Sequence, residues 1–116
     1  MPTLSDIQAQ IRAFRDARDW LQFHNPKNLA ISISLEASEL LEHFQWRSFE
    51  ESQAHAREAR EAIADEMADI AIYLAEFADL LDIDLLAAME SKLAKNAAKY
   101  PVEKARGSHK KYTDLE

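Results

Sequence analysis

Apolar residues recur three and four positions apart along most of the chain, which is the period of one face of an α-helix. The first such run is Ile7, Ile11, Phe14, Ala17 and Leu21, with Arg12, Arg15, Asp16 and Asp19 off the stripe. Ser5, with Gln8 three residues on, has the form of a capping box and is expected to open this helix. His24-Asn25-Pro26-Lys27 breaks the pattern, and Asn25 can cap a second helix that has Pro26 at its first position. Leu29, Ile33, Ala37, Leu40 and Phe44 carry that helix to about Trp46. Residues 47–57 are polar and have no clear period, although Ser48 with Glu51 is a second possible cap. A third helix is expected over roughly 58–81, with Ala62, Ile63, Met67, Ile70, Leu74, Phe77 and Leu81 facing inward. Asp84 can cap a fourth that runs to about Lys99, and Pro101 stops it.

Four amphipathic helices with short connections predict an all-α four-helix bundle. No internal repeat and no linker divides the chain, so residues 1–116 are expected to form one domain. Its last stretch, about 101–116, has no apolar period and reads as a basic tail or lid. Leu35, Leu41, Ile72, Leu80 and Leu86 lie partly off the main stripes. That surplus of apolar surface predicts a homo-oligomer.

Composition agrees with helices: there is one glycine and there are three prolines, too few turn-formers for an all-β chain. No run approaches the roughly 20 apolar residues of a membrane helix, so no membrane association is expected. Met1 to Asp6 lacks the basic and apolar regions of a signal peptide. Cysteine is absent, which rules out disulfides and thiolate metal sites, and a cytoplasmic protein is the simplest reading. The net charge of −7 argues against a general nucleic-acid binder. It is unevenly spread: residues 1–91 hold 7 basic and 18 acidic residues, or −11, and residues 92–116 hold 7 and 3, or +4. Such an acidic body with a basic carboxyl end can attract a cation to one part and an anion to another, but on charge alone the basic end reads as a solvated tail.

Residues three apart on a helix lie about 60° apart around its axis, so Glu36 and Glu39 share one face. With Glu36 as zero, Asn28, Ser32, Glu39, His43 and Trp46 fall within about 80° on one side, and the apolar stripe falls on the other. Glu66, Asp69 and Tyr73 repeat the arrangement on the third helix, flanked by Met67 and Ile70. Like charges at this spacing destabilise an isolated helix, and a divalent cation reverses that sign. Carboxylate oxygens suit Mg²⁺ or Mn²⁺. The same spacing also occurs at Glu58/Glu61 and Glu76/Asp79, so one pair alone reads more readily as a solvated face; two pairs on adjacent helices beside aromatics bring the two readings level. A di-iron carboxylate site is disfavoured, since it wants Glu-x-x-His on two helices and Leu40 stands three residues before His43.

Taken together, these residues resemble the all-α NTP pyrophosphohydrolases of the MazG type, and most nearly the dCTP pyrophosphatase branch. The family pattern E-x-x-E, spacer, E-x-x-D reads here Glu36-Ala37-Ser38-Glu39, 26 residues, then Glu66-Met67-Ala68-Asp69. Around it stand Asp19-Trp20-Leu21-Gln22-Phe23-His24-Asn25-Pro26-Lys27-Asn28-Leu29, Phe44-Gln45-Trp46, Ile72-Tyr73-Leu74, Ser91-Lys92-Leu93, Lys99-Tyr100-Pro101 and Lys110-Lys111-Tyr112. The resemblance runs from about residue 14 to 113. It departs at Ser38, where relatives often carry glycine, and least matches the connection 47–60.

The resemblance implies a MazG-like bundle that hydrolyses a (deoxy)nucleoside triphosphate to the monophosphate and pyrophosphate with Mg²⁺. It implies Glu36, Glu39, Glu66 and Asp69 as metal ligands. Trp20, His24, Trp46 and Tyr73 match positions around the base and sugar. Lys92, Asn96 and Tyr100 match positions reaching the phosphates, with Lys110 added from the tail. Relatives assemble as dimers or tetramers, and a homotetramer is expected here in preference to a dimer. In the expected chemistry, water attacks the α-phosphorus with Glu39 or Glu42 as its base. The favoured substrate is dCTP or a modified pyrimidine nucleotide. Alternatives are dUTP, broad NTP clean-up, phosphoribosyl-ATP, and a non-enzymatic helical oligomerisation module.

Overall fold

Four of the helix starts fall where side-chain oxygens take up free backbone amides. In the computed structural model, which describes residues 1–115, α1 spans Leu4–Ala17, α2 Pro26–Glu42, α3 Phe49–Glu58, α4 Arg60–Leu80, α5 Leu85–Lys99 and α6 Val102–Ala105. Glu116, the last residue of the expected domain, lies outside the described residues. Asn25 caps α2 with Pro26 in its first turn, and Asp84 caps α5, as their sequence predicts.

Three boundaries differ from the expectation. The cap of α1 is Thr3 and not Ser5: Asp6 N–H donates to Thr3 Oγ1 at 3.1 Å and Thr3 N–H donates to Asp6 Oδ2 at 2.9 Å. This reciprocal box is complete, whereas Ser5 falls inside the first turn. The polar stretch after residue 47 is a ten-residue helix, α3, closed by the same device between Ser48 and Glu51. Finally, α2 stops at Glu42, and residues 43–46 continue as tight turns with His43 N–H donating to Leu40 O and Phe44 N–H to Leu41 O. Among the described residues, six α-helices therefore replace the expected four. The expected tail contains α6 and a 3₁₀ turn, Tyr112–Asp114.

The chain forms two compact units, Met1–Asp82 and Ile83–Glu116. In the first, α4 is the central helix, with α1, α2 and α3 packed against it. Leu29 of α2 is 1% exposed, and Ala75 and Ala78 of α4 are also buried. Small alanines let α1 approach α4 closely enough for side-chain bonding: Gln8 Nε2 donates to Ala75 O at 2.9 Å, and Arg12 Nη1 meets Asp79 Oδ2 at 2.7 Å. Asp82, which ends this unit, has φ 54°. The second unit is built on α5, with Tyr100 edge-on to Tyr112 at 6.1 Å and Lys99 Nζ 4.8 Å from the Tyr112 ring. No helix among the described residues is long and apolar enough to cross a membrane.

Candidate active site: a carboxylate cluster beside an aromatic cleft

Packing of α2 on α4 turns two local spacings into one cluster. Glu36 and Glu39 from α2 meet Glu66 and Asp69 from α4, and one oxygen from each lies within 4.8 Å of all the others. Oε2 of Glu36 and Oε2 of Glu66 are buried and have no hydrogen-bond partner. Buried acceptors without donors are costly unless something positive meets them. The Glu36 carboxyl is pushed up to about 7, by burial first and then by Glu39, Asp69 and Glu66 around it. Glu66 is raised for the same reasons, burial leading and Glu39 next. Opposite oxygens of an Mg²⁺ octahedron lie about 4.2 Å apart, so the spread and hardness of this donor set fit such an ion. The acid pair Glu76/Asp79 has the same spacing on the same helix but faces α1 instead.

Beside the cluster lies an open cleft of about 600 Å³, within the range of roughly 300–1,000 Å³ usual for small-molecule sites. Asp69 is part of its wall, together with Phe14, Trp20, His24, Tyr73 and Glu76. The turn after α1 sets Trp20. Asp19 sits in the left-handed region at φ 55°, and the Gln22 side-chain amide donates to its carbonyl oxygen and its carboxylate. Phe14 then meets Trp20 edge-on at 5.8 Å, and Arg18 stacks over Phe14 at 3.7 Å. His24 stands between Trp20 at 6.3 Å and Tyr73 at 6.5 Å, its Nδ1 2.5 Å from Glu76 Oε2. The Tyr73 hydroxyl is raised, by burial first and then by the charges of Glu36, Glu76 and Asp69.

Sequence reasoning missed Arg15 and Glu76 here. Both are buried, at 7% and 3% exposure, with Arg15 Nη1 3.7 Å from Glu76 Oε2 and Arg15 Nε 2.9 Å from Asp16. The signal was present: Arg12/Arg15 and Glu76/Asp79 are opposite charges with the same three-residue spacing.

Although α2 ends at Glu42, His43 keeps a helical backbone conformation and stays beside Glu39 and Glu66. Trp46 is 87% exposed and is not part of the cleft wall that holds Trp20, His24 and Tyr73. Glu42 and His43 line another opening, of about 380 Å³, with Glu39, Glu66, Arg47 and His55. His43 Nδ1 and His55 Nε2 share a hydrogen bond at 2.8 Å, and Arg47 donates to the His43 carbonyl. His55 is lowered by burial, then by the charges of Arg47 and His43. Lys92, Asn96, Tyr100 and Lys110 belong to the second unit. There Asn96 and Tyr100 are half-buried, and Lys92 and Lys110 are exposed.

Comparison with known proteins bears directly on this arrangement. The profile of the MazG-like family matches residues 31–115. Rat dCTP pyrophosphatase 1 is 44% identical over 98% of this chain and 68% of its own length. Human dCTP pyrophosphatase 1 is 40% identical over the same shares. The crystal structure of a pyrophosphatase from Archaeoglobus fulgidus superposes with a TM-score of 0.82 at 41% identity, covering 87% of this chain and 94% of that one. The matched stretch includes all four clustered carboxylates. The chain belongs to the MazG-like family.

Proposed function

We propose that the protein hydrolyses (deoxy)nucleoside triphosphates to monophosphate and pyrophosphate, favouring dCTP or a modified pyrimidine nucleotide. The observation that carries this reading is the shared wall: four convergent carboxylates, two of them with orphaned buried oxygens, border an aromatic cleft through Asp69. The similarity to proteins named dCTP pyrophosphatase supports the choice of base.

Glu36, Glu39, Glu66 and Asp69 would hold Mg²⁺, with Mn²⁺ as a substitute, supplying neutralisation of triphosphate charge and polarisation of the phosphoryl group. Trp20 and Tyr73 offer faces on which a base can stack, each worth about 1–3 kcal/mol. Water attacks the α-phosphorus, and Glu39 or Glu42 takes its proton. A bond forms from the water oxygen to the α-phosphorus, and the bond from that phosphorus to the bridging oxygen of the β-phosphate breaks. Pyrophosphate carries away the electron pair. Lys92, Asn96, Tyr100 and Lys110 are assigned to the phosphates, and Trp46 to the base.

The working form in this proposal is a homo-oligomer, a tetramer in preference to a dimer. Ile31 and Leu35 are exposed on α2 at 47% and 61%, beside Ala30 and Ser34, so close approach of a second helix is unobstructed. Ser34 and Ser38 donate their hydroxyls to carbonyls of their own helix, so neither hydroxyl is an unmet donor on that face. A nucleotide substrate and a cysteine-free chain fit a cytoplasmic enzyme.

The test is to incubate the protein and Mg²⁺ with dCTP, dUTP, modified pyrimidine nucleotides and ribonucleotides, and to identify both products. Monophosphate with pyrophosphate is expected. Diphosphate with orthophosphate means attack at the γ-phosphorus and refutes the reading.

A further inference from the structure

We propose that Glu76, paired with Arg15, is a positioning residue that fixes His24 as its Nδ1–H tautomer and so makes Nε2 a hydrogen-bond acceptor facing the cleft. An ionised carboxylate only accepts hydrogen bonds, so a 2.5 Å contact from Glu76 Oε2 to His24 Nδ1 requires the proton on Nδ1. The Arg15 guanidinium, 3.7 Å from the same oxygen and itself buried, supplies the counter-charge for the carboxylate. The imidazole need not be protonated to do so. A neutral ring with Nδ1–H has a lone pair on Nε2. No hydrogen bond from a described residue reaches Nε2, and it is not among the buried unpartnered atoms. It is open to ligand.

Besides His24 itself, the cleft's charged and titratable groups come from two helices: Arg15 stands on α1, and Asp69, Tyr73 and Glu76 stand on α4. Glu76 is the one that touches the ring. Its second partner, Arg15, is tied at Nε to Asp16, so the chain Asp16–Arg15–Glu76–His24 runs from the surface of α1 to the cleft.

An acceptor at Nε2 pairs with an amino group and repels a carbonyl. Cytosine presents an exocyclic amine where uracil presents an oxygen. Glu76 thereby sets the preference for a 4-aminopyrimidine over a 4-oxopyrimidine. This deepens the nucleotide-hydrolase reading and rests on it for the substrate, whereas the tautomer of His24 stands without it.

Two measurements test the proposal. The first is ¹⁵N NMR of histidine-labelled protein, with the His24 signals assigned by their loss in His24→Asn. Wild type is expected to show a protonated Nδ1 and an unprotonated Nε2, and Glu76→Ala is expected to shift the proton to Nε2. An imidazolium or an Nε2–H ring in wild type, or an unchanged ring in Glu76→Ala, overturns the proposal. The second is steady-state hydrolysis of dCTP and dUTP. Loss of one hydrogen bond predicts that Glu76→Ala lowers the dCTP:dUTP ratio of kcat/KM on the order of tenfold. The loss is expected in KM for dCTP, with kcat retained. An unchanged ratio, or a fall in kcat alone, counts against it.

Asp79→Asn breaks the neighbouring α1–α4 ion pair with Arg12 without touching His24. It is expected to keep both the tautomer and the ratio, which separates positioning from general loosening of the helix pair. If it changes them as much as Glu76→Ala does, the assignment falls. Should wild type cleave no nucleotide, the nucleotide reading and the selectivity fail, and the NMR result still decides the tautomer.

Discussion

Magnesium should stabilise this protein, and should do so more at pH 8 than at pH 5.5. The perturbation acts on Glu36, whose carboxyl stands at about 7 in the folded chain against an ordinary value near 4.5. Its sign follows from proton uptake. Between those values the folded state binds the proton that the unfolded state releases, so metal-free stability falls as pH rises from about 4.5 through 7. Its contribution is complete below 4.5 and lost above 7. A cation that binds the ionised cluster works in the other direction, because protons compete for the same oxygens.

The size of the metal effect follows from mass action: at a concentration 100 times Kd the folded state gains about 2.7 kcal/mol. For a domain of this length that is roughly 10 °C in Tm. The assay is thermal unfolding by circular dichroism at fixed protein concentration, with saturating MgCl₂ or EDTA, at pH 5.5 and 8. Glu36→Gln should melt higher than wild type without metal at pH 8, because a neutral amide replaces a crowded carboxylate. It should also lose most of the magnesium shift. If Glu36→Gln keeps the full shift, or if the shift in wild type is larger at pH 5.5, the four-carboxylate site is wrong.

Three further outcomes can be checked separately. Glu39→Gln should lower kcat by about 10²-fold or more in the product assay, the scale of removing a positioned acid–base group, while circular dichroism stays native. Full activity in that variant would falsify its assignment. Leu29→Ala deletes the most buried side chain of α2 and should cost about 2–5 kcal/mol in urea unfolding; a cost below 1 kcal/mol means that the site collapses to fill the cavity. Trp46→Ala, at a position 87% exposed, should change stability by less than about 0.5 kcal/mol. If it stacks on the base as proposed, KM for dCTP should still rise about fivefold or more, corresponding to at least about 1 kcal/mol.

The helices were legible because their signals are local. Asn25-Pro26 and Asp84 mark starts that need only the next three residues, and the structure uses both. Ser5 misled because Gln8 offered the right spacing, while Thr3 with Asp6 completes both bonds of the box and Gln8 instead reaches Ala75 on α4. The end of α2 was overestimated for a related reason. Phe44 keeps the apolar period, and a periodicity cannot distinguish a last helical turn from tight turns of nearly the same pitch.

The pairing of side chains between helices shows where local reading stops. Glu36/Glu39, Glu66/Asp69 and Glu76/Asp79 have the same three-residue spacing, and nothing in that spacing says which pairs meet. Seven residues separate Asp69 from Glu76, nearly two turns, so both stay on the helix surface that α1 and α2 share between them. The crossing of α2 over α4 brings the first two pairs within 4.8 Å, and the alanines of α4 let α1 bring Arg12 and Arg15 to the third. The sequence by itself determined where helices start, which residue types could bind a cation, and to which family the chain is similar. Only tertiary packing decided that Glu76 is a buried partner of His24 and not a solvated acid, because burial and charge pairing depend on the neighbouring helix and not on the residue's own turn.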